Sequence, residues 1–410
     1  MLLHYKFNNF YSFYDMVEFD MIASGTKARN RYLDNFVDTE CGENILKTAV
    51  LVGENAGGKS NFINSLKFLK SLFQDNDNVR ALKSTTNINN ITTDNPLDCD
   101  TEQHFVLEIL AEDNLIYLYE LVIDFCGVKK EVLYYRKKKE HNLNKVLEVK
   151  RLTLDVGDKN LYTLHYEIQI PDVSKEIKDL LEENTNKNKS LGLNITKLAI
   201  LGVEHTAPFV DWVNNSLYTE TIDINYDVYK NFKKEEDDLR ILDDPRFIDI
   251  FRLVDYSIKR VDIDKEKPYT KSIIVRSRKD GGDFNKEISR DSSGVREYFA
   301  WAVQIFRVVY ENKVVFADEM DRVLNPILSD RVISFINGKQ HRGQFVFSTH
   351  NVLHLDLKTY MKEQIYFITK DKETLNSELY SLADFPEVRY ETTKIYEFYM
   401  KGILGGTSFE

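Results

Sequence analysis

The stretch that most constrains this chain is Gly53-Glu54-Asn55-Ala56-Gly57-Gly58-Lys59-Ser60, which satisfies G-x-x-x-x-G-K-[ST] without a gap. Its flanks narrow the reading. Leu46 to Val52 (LKTAVLV) is a short apolar run ending at a glycine, as a buried parallel strand would be. Beyond the motif, Ile63, Leu66, Leu69 and Phe73 recur at helical spacing. A strand, a glycine-rich turn and a helix in this order turn backbone N–H groups and a helix N-terminus toward a phosphate. Lys59 is expected to reach the β- and γ-phosphates and Ser60 to ligate Mg²⁺. Gly53, Glu54, Asn55, Ala56, Gly57, Gly58 and Asn61 complete the expected nucleotide cradle.

Three further motifs follow in the sequence. Val314-Val315-Phe316-Ala317-Asp318-Glu319 is an apolar strand ending in adjacent carboxylates. That pattern suits Asp318 as a support for Mg²⁺ and Glu319 as the group that polarises an attacking water. Ser292-Ser293-Gly294 precedes an amphipathic helix whose apolar face is Tyr298, Trp301, Ala302, Ile305, Phe306 and Val309. Such a turn can cap a helix or bind phosphate, and the aromatic stripe reads as core. Phe347-Ser348-Thr349-His350-Asn351 ends another apolar strand, where His350 could hydrogen-bond a γ-phosphate or its attacking water.

Between these motifs, the runs 104–110, 115–125, 131–136, 146–151 and 161–168 are β-like and spaced as an antiparallel meander. Residues 75–101 are polar enough to read as a long loop. Residues 174–260 read as helical and charged, with FIDIFRLVDYSI resuming a helical pattern after Pro245, and Gly281-Gly282 marks a turn. The expected organisation is 1–170 as the first part of a nucleotide-binding head, 171–284 as a mainly helical insertion, and 285–410 as the second part.

Composition sets outer limits. With 410 residues, 42% of them hydrophobic, the chain can bury a large core and is not disordered. Its 55 Lys+Arg against 66 Asp+Glu give a net charge of -11, which argues against a nucleic-acid coat while leaving room for a local basic groove. The basic run Arg136-Lys137-Lys138-Lys139 reads as a solvated hairpin end and Glu235-Glu236-Asp237-Asp238 as a solvated helix face or loop. Cys41, Cys99 and Cys126 offer neither a disulfide framework nor a zinc set. No signal peptide and no run of about 18 apolar residues is present, so no membrane association and a cytoplasmic location are expected.

The order of P-loop, Ser-Ser-Gly helix, Asp-Glu strand and strand-end histidine resembles the ABC-type ATPase head shared by SMC, RecF and transporter ATPases. More narrowly, the chain is similar to the AAA-labelled ATP/GTP phosphatases of bacterial abortive-infection and phage-defence systems, of the RloA/AbiL type. That similarity is carried by Asn9-Phe10-Tyr11-Ser12-Phe13, Gly53-Glu54-Asn55, Asp318-Glu319-Met320-Asp321-Arg322 with Asn325-Pro326, Ser348-Thr349-His350-Asn351, and a tail from Glu378 to Phe385 and Tyr399 to Gly402. It implies an α/β P-loop fold of ABC type, with an antiparallel β subdomain and a helical insertion. It also implies ATP and Mg²⁺ as ligands, and a head-to-head homodimer or higher oligomer in which Ser292, Ser293 and Gly294 act in trans. A dimerisation segment is implied at 320–326. The signature departs from the Leu-Ser-Gly-Gly-Gln of transporters, and Gln103 is the one candidate for a Q-loop glutamine.

The function so implied is a nucleotide-switched ATPase that controls a separate effector, a nuclease or toxin, in anti-phage defence. The length is expected to hold one head with its insertion and no nuclease besides. Two alternatives stand beside it: a DNA-repair ATPase of RecF or SMC type, and an assembly scaffold with little turnover. The intact Glu319 speaks against the scaffold, and the acidic charge and lack of heptads speak against the repair enzyme.

Overall fold

The computed structural model describes residues 1–23, 30–74, 85–87, 102–124, 127–137, 142–156, 162–171, 173–187, 192–219, 235–320, 325–350, 352, 355–390 and 394–404. Most of the polar stretch 75–101, with Cys99, lies outside them. So do Cys126, Lys138, Lys139, Asp321, Arg322, Asn351 and the side chains of Glu235 and Glu236.

Two sheets organise the chain. The first is seven-stranded and antiparallel, in the order Tyr162–Gln169, Asn144–Val156, Gly127–Arg136, Ile116–Asp124, Gln103–Leu110, Leu2–Phe7, Val17–Asp20. The expected meander is thus extended by the N-terminal hairpin, whose strand Leu2–Phe7 pairs with Gln103–Leu110. The second sheet is six-stranded, in the order Leu217–Tyr218, Val314–Ala317, Gln344–Thr349, Thr48–Val52, Ile365–Lys370, Ser377–Ser381. Its neighbours run parallel except the last pair.

Side-chain alternation explains why the parallel strands are apolar throughout. Ala49, Leu51, Phe316, Val346 and Ile368 face one core, and Val50, Val52, Val315, Phe347 and Phe367 face the other. The first core lies between the two sheets. The helix Lys59–Gln74 contributes Phe62, Ile63, Leu66 and Leu69 to it, against Tyr5, Phe7, Phe105 and Leu107 of the antiparallel sheet. Each such side chain contributes roughly 1.5–3 kcal/mol on burial. The second core is covered by the helices Ser293–Glu311 and Pro326–Asn337. The predicted stripe Tyr298, Trp301, Ala302, Ile305, Phe306 and Val309 is buried there.

Residues 171–284 hold helices Lys175–Lys187, Asn194–Ile200, Ala207–Asp211 and Glu235–Leu242. They also hold strands. Leu217–Tyr218 extends the parallel sheet, and Ile258–Asp262, Ile273–Ser277 and Asp283–Glu287 form a small antiparallel sheet. The helical pattern read over 247–258 stops early: the helix spans Phe247–Phe251 and Ile258 begins a strand. The Asp255 carboxylate accepts from the Ser257 N–H at 2.9 Å and the Ser257 hydroxyl at 2.6 Å, a local turn that competes with helix. Gly281, at φ +85, makes the turn between the last two strands.

One expectation is overturned. Asp238, read as part of a solvated acidic run, is 2% exposed. It accepts from Arg307 at 2.5 Å and from the Tyr269 hydroxyl at 2.8 Å. Burial raises its pKa, and the Arg307 charge opposes that. The pair ties helix Glu235–Leu242 to helix Ser293–Glu311, a long-range contact that a local run of carboxylates does not reveal. Among the described residues no helix is long and apolar enough to cross a membrane.

Candidate functional site

The strand leading to His350 lies between the P-loop strand and the strand leading to Asp318-Glu319. Because the three run parallel, their carboxyl ends open at one edge, where open α/β sheets hold ligands. The P-loop leaves Val52 at that edge. It passes so close to the neighbouring strand that a Cβ on Gly53 would come 2.1 Å from the Ile368 carbonyl oxygen. Gly58 has φ +118, a conformation for which glycine is required, and Ala56 also takes a positive φ of 62.

Lys59 is 6% exposed and folded back over the loop. Its ammonium donates to the Gly53 and Glu54 carbonyls, each at 2.8 Å, and lies 3.1 Å from His350 Nδ1. The His350 ring also lies 3.2 Å from the Gly53 carbonyl oxygen. Lysine, loop and strand-end histidine are therefore assembled with a cation at the centre. Ser60 is exposed at the first turn of the helix. Asn61 Nδ2 donates to the Ser12 hydroxyl at 2.8 Å.

Ser348 organises the acidic pair. Its hydroxyl donates to Asp318 Oδ1 at 2.6 Å and accepts from the Glu319 N–H at 2.8 Å. Glu319 has φ 51, a left-handed conformation that a non-glycine residue adopts at a cost, often at functional sites. Sequence reasoning gave Ser348 no role. The signal was present: a buried serine in an apolar strand, one residue past the pairing of Phe347 with Ala317.

Ser292, Ser293 and Gly294 form no hydrogen bond with these groups among the described residues. Ser292 caps helix Ser293–Glu311, accepting from the Val295 N–H at 3.4 Å, and both serines are exposed. The turn is held from behind. Asp291 accepts from the Ser292 N–H at 2.8 Å, and Arg276 joins Asp291 and Asp255, each at 2.8 Å. Of the segment 320–326, Met320 is buried and Asn325 caps helix Pro326–Asn337 through the Leu328 N–H at 2.9 Å. Gln103 is fully buried and donates to the Asn9 carbonyl at 2.9 Å. Arg136 lies 3.1 Å from Glu108 in an ion pair.

The glycines at 53, 57 and 58 add no side chain to the loop, a lysine stands in it, and a serine and a carboxylate flank it. That donor set fits a magnesium nucleotide.

The chain is similar to the SMC head domain from Thermotoga maritima, at 14% identity over 93% of this chain and 98% of that one, with a TM-score of 0.41. It is similar to an SMC head bound to the C-terminal winged-helix domain of ScpA, at 13% identity over 93% and 97% and a TM-score of 0.43. A Pyrococcus furiosus SMC head with an extended coiled coil, bound to the C-terminal domain of ScpA, gives 13% identity over 93% and 96% and a TM-score of 0.41. No curated protein sequence matches significantly. The fold is α/β, a largely parallel sheet carrying the P-loop beside an antiparallel β sheet. A family model matches residues 49–356 of the 410, and the chain belongs to that family, described as "AAA domain, putative AbiEii toxin, Type IV TA system".

Proposed function

We propose that this chain is a nucleotide-switched ATPase that controls a separate effector in bacterial anti-phage defence. The observation that carries the ATPase reading is the convergence of Lys59, the Asp318–Ser348 pair and His350 at the carboxyl ends of adjacent parallel strands. Lys59 and the loop N–H groups bind the triphosphate. Ser60 and Asp318 would hold Mg²⁺, which supplies charge neutralisation at the phosphates. Glu319 orients the water that attacks the γ-phosphate, and His350 hydrogen-bonds that phosphate. Ser292, Ser293 and Gly294, exposed at a helix N-terminus, serve the nucleotide of a second copy. Binding thereby favours the closed pair and hydrolysis releases it.

The defence setting is supported by the toxin–antitoxin system in the family's description and by the RloA/AbiL-like segments of the sequence. A net charge of -11 speaks against direct DNA binding as the primary activity. The test is Lys59→Ala. Nucleotide affinity should fall about a hundredfold, as for removal of a charge-assisted contact to a phosphate. Wild-type protein that neither binds nor hydrolyses MgATP would end this reading. Purification with and without MgATP, followed by identification of what co-purifies, tests the effector. A co-purifying nuclease or toxin is expected, and DNA alone would favour the repair alternative.

A further inference from the structure

Ser12 and Ser377 have no part in the scheme above, yet the fold brings both to the P-loop. Ser12 and Ser377 are 365 residues apart, and their hydroxyl oxygens lie 2.7 Å from each other. Ser377 Oγ lies 2.6 Å from the Gly57 carbonyl oxygen. The Ser377 N–H donates to the Ser12 carbonyl at 2.7 Å, which fixes the two backbones together. Asn61 Nδ2, from the first turn of the P-loop helix, donates to Ser12 Oγ at 2.8 Å.

Proton counting orders this chain. A carbonyl oxygen can only accept, so the single proton of Ser377 goes to Gly57. The contact between the two serines then uses the proton of Ser12. The result runs one way: Asn61 to Ser12 to Ser377 to the Gly57 carbonyl. Such a series strengthens its members through polarisation.

The Gly57 carbonyl belongs to the Gly57–Gly58 peptide, and the described peptides are trans. In a trans peptide, C=O and N–H point in opposite directions. Holding the carbonyl toward Ser377 therefore turns the Gly58 N–H away from Ser377. Gly58 at φ +118 has no side chain to resist rotation of this plane, and a Cβ there would come 2.5 Å from Ser377 Oγ. Something outside the loop has to fix it.

We infer that Ser12 and Ser377 are positioning residues that lock the Gly57–Gly58 peptide with its N–H facing the phosphate site. The inference rests on the proposed nucleotide site and adds how that site is kept ready before nucleotide arrives.

The experiment uses the full chain with Ser377→Ala, Ser12→Ala and the double variant. A nucleotide-free crystal structure of Ser377→Ala should show the Gly57 carbonyl rotated or in two orientations. Calorimetric titration with a non-hydrolysable MgATP analogue should show a Kd about tenfold weaker, the scale of one phosphate hydrogen bond lost. Ser12→Ala should cost less, and the losses in the double variant should be less than additive, because Ser12 reaches the Gly57 carbonyl through Ser377. The thermal midpoint of the nucleotide-free variants should fall only as far as the loss of one buried hydrogen bond requires. An unrotated Gly57 carbonyl with unchanged Kd overturns the inference, as does full additivity in the double variant. If Ser377→Ala does not fold, Ser377→Cys, with its weak thiol donor, must shift both readouts in the same direction. Should wild-type protein bind no nucleotide, the proposed function fails, while the crystallographic readout still decides the peptide's orientation.

Discussion

The two ends of the parallel sheet carry polar side chains to opposite effect. At the amino ends they are closed on one another. Gln364 accepts from Asn35 Nδ2 at 2.7 Å and the Met361 N–H at 2.8 Å, and donates to the Thr48 carbonyl at 2.8 Å and hydroxyl at 2.7 Å. Gln344 accepts from the Leu2 N–H at 2.5 Å and donates to the Leu2 and Leu46 carbonyls at 2.9 and 3.0 Å, joining the two sheets. Lys47 donates to the Asn337 and Lys339 carbonyls. At the carboxyl ends, Glu319 is half-buried and Ser60 and His350 are exposed. A satisfied polar network specifies a fold. Groups held in place at an exposed edge can act on a ligand.

The largest effect that tests this division is Glu319→Gln. Turnover should fall about a thousandfold, within the range for loss of a general base, with MgATP affinity and thermal midpoint near wild type. Coupled phosphate release and calorimetry measure the two sides. A loss of stability instead of turnover would mean that this end, too, is structural.

The amino end should answer to pH. His341 is buried at the turn before Gln344, with Nδ1 accepting from the Gly343 N–H at 3.0 Å and Nε2 donating to the Ile336 carbonyl at 2.8 Å. That pairing requires the neutral ring. Burial, aided by the nearby Lys47 charge, lowers its pKa from 6.5 to about 4. The folded pKa lies below the unfolded one, so the unfolded chain binds more protons between those values. The contribution is complete above pH 6.5 and is lost as pH falls to about 4, on the order of 3 kcal/mol. Urea unfolding of wild type and His341→Gln across this window should show a shallower pH slope in the variant. Equal slopes would remove His341 from the account.

Much of this division was legible in the sequence. The P-loop, the Asp-Glu strand and the strand-end histidine sit on apolar runs whose period and length fix them as buried parallel strands. Their order in the sheet was not legible, because pairing Thr48–Val52 with Gln344–Thr349 is a long-range choice that no local pattern encodes. The same holds for Asp238, whose partner Arg307 lies on a distant helix, and for Ser12 with Ser377. Residues 258–287 read poorly because Asp255 and Ser257 break a helical pattern that their neighbours would continue. Local chemistry was readable, and contacts between distant segments were not.

A third prediction concerns a set of groups that is open without being part of the cradle. Ser293→Arg places a bulky cation on the exposed turn held by Asp291 and Arg276. Turnover should fall about a hundredfold while nucleotide affinity stays unchanged, as the proposed service of the turn to a second copy's nucleotide requires. Reduced affinity in isolated monomers would place the turn in its own protomer's site. Unchanged turnover would make Ser293 only the start of a helix.

The smallest effect should come from Gln364→Leu, and it tests the closed end most directly. Leucine matches the volume of the glutamine but makes none of its hydrogen bonds. Asn35 keeps one donor bond, to the Thr359 carbonyl at 2.8 Å, so the damage falls on the Met361 N–H and the Thr48 carbonyl. Unpartnered buried groups cost about 1–3 kcal/mol each, and added apolar contact offsets part of that, so a net loss of about 2 kcal/mol is expected. Thr48 opens the strand that leads into the P-loop, four residues before its carboxyl end at Val52. If the strand transmits nothing along its length, chemical denaturation will register the change while the KM and kcat for MgATP will not. If the KM rises with the loss of stability, the two ends are mechanically coupled, and the stability of the amino end is part of how the cradle keeps its shape.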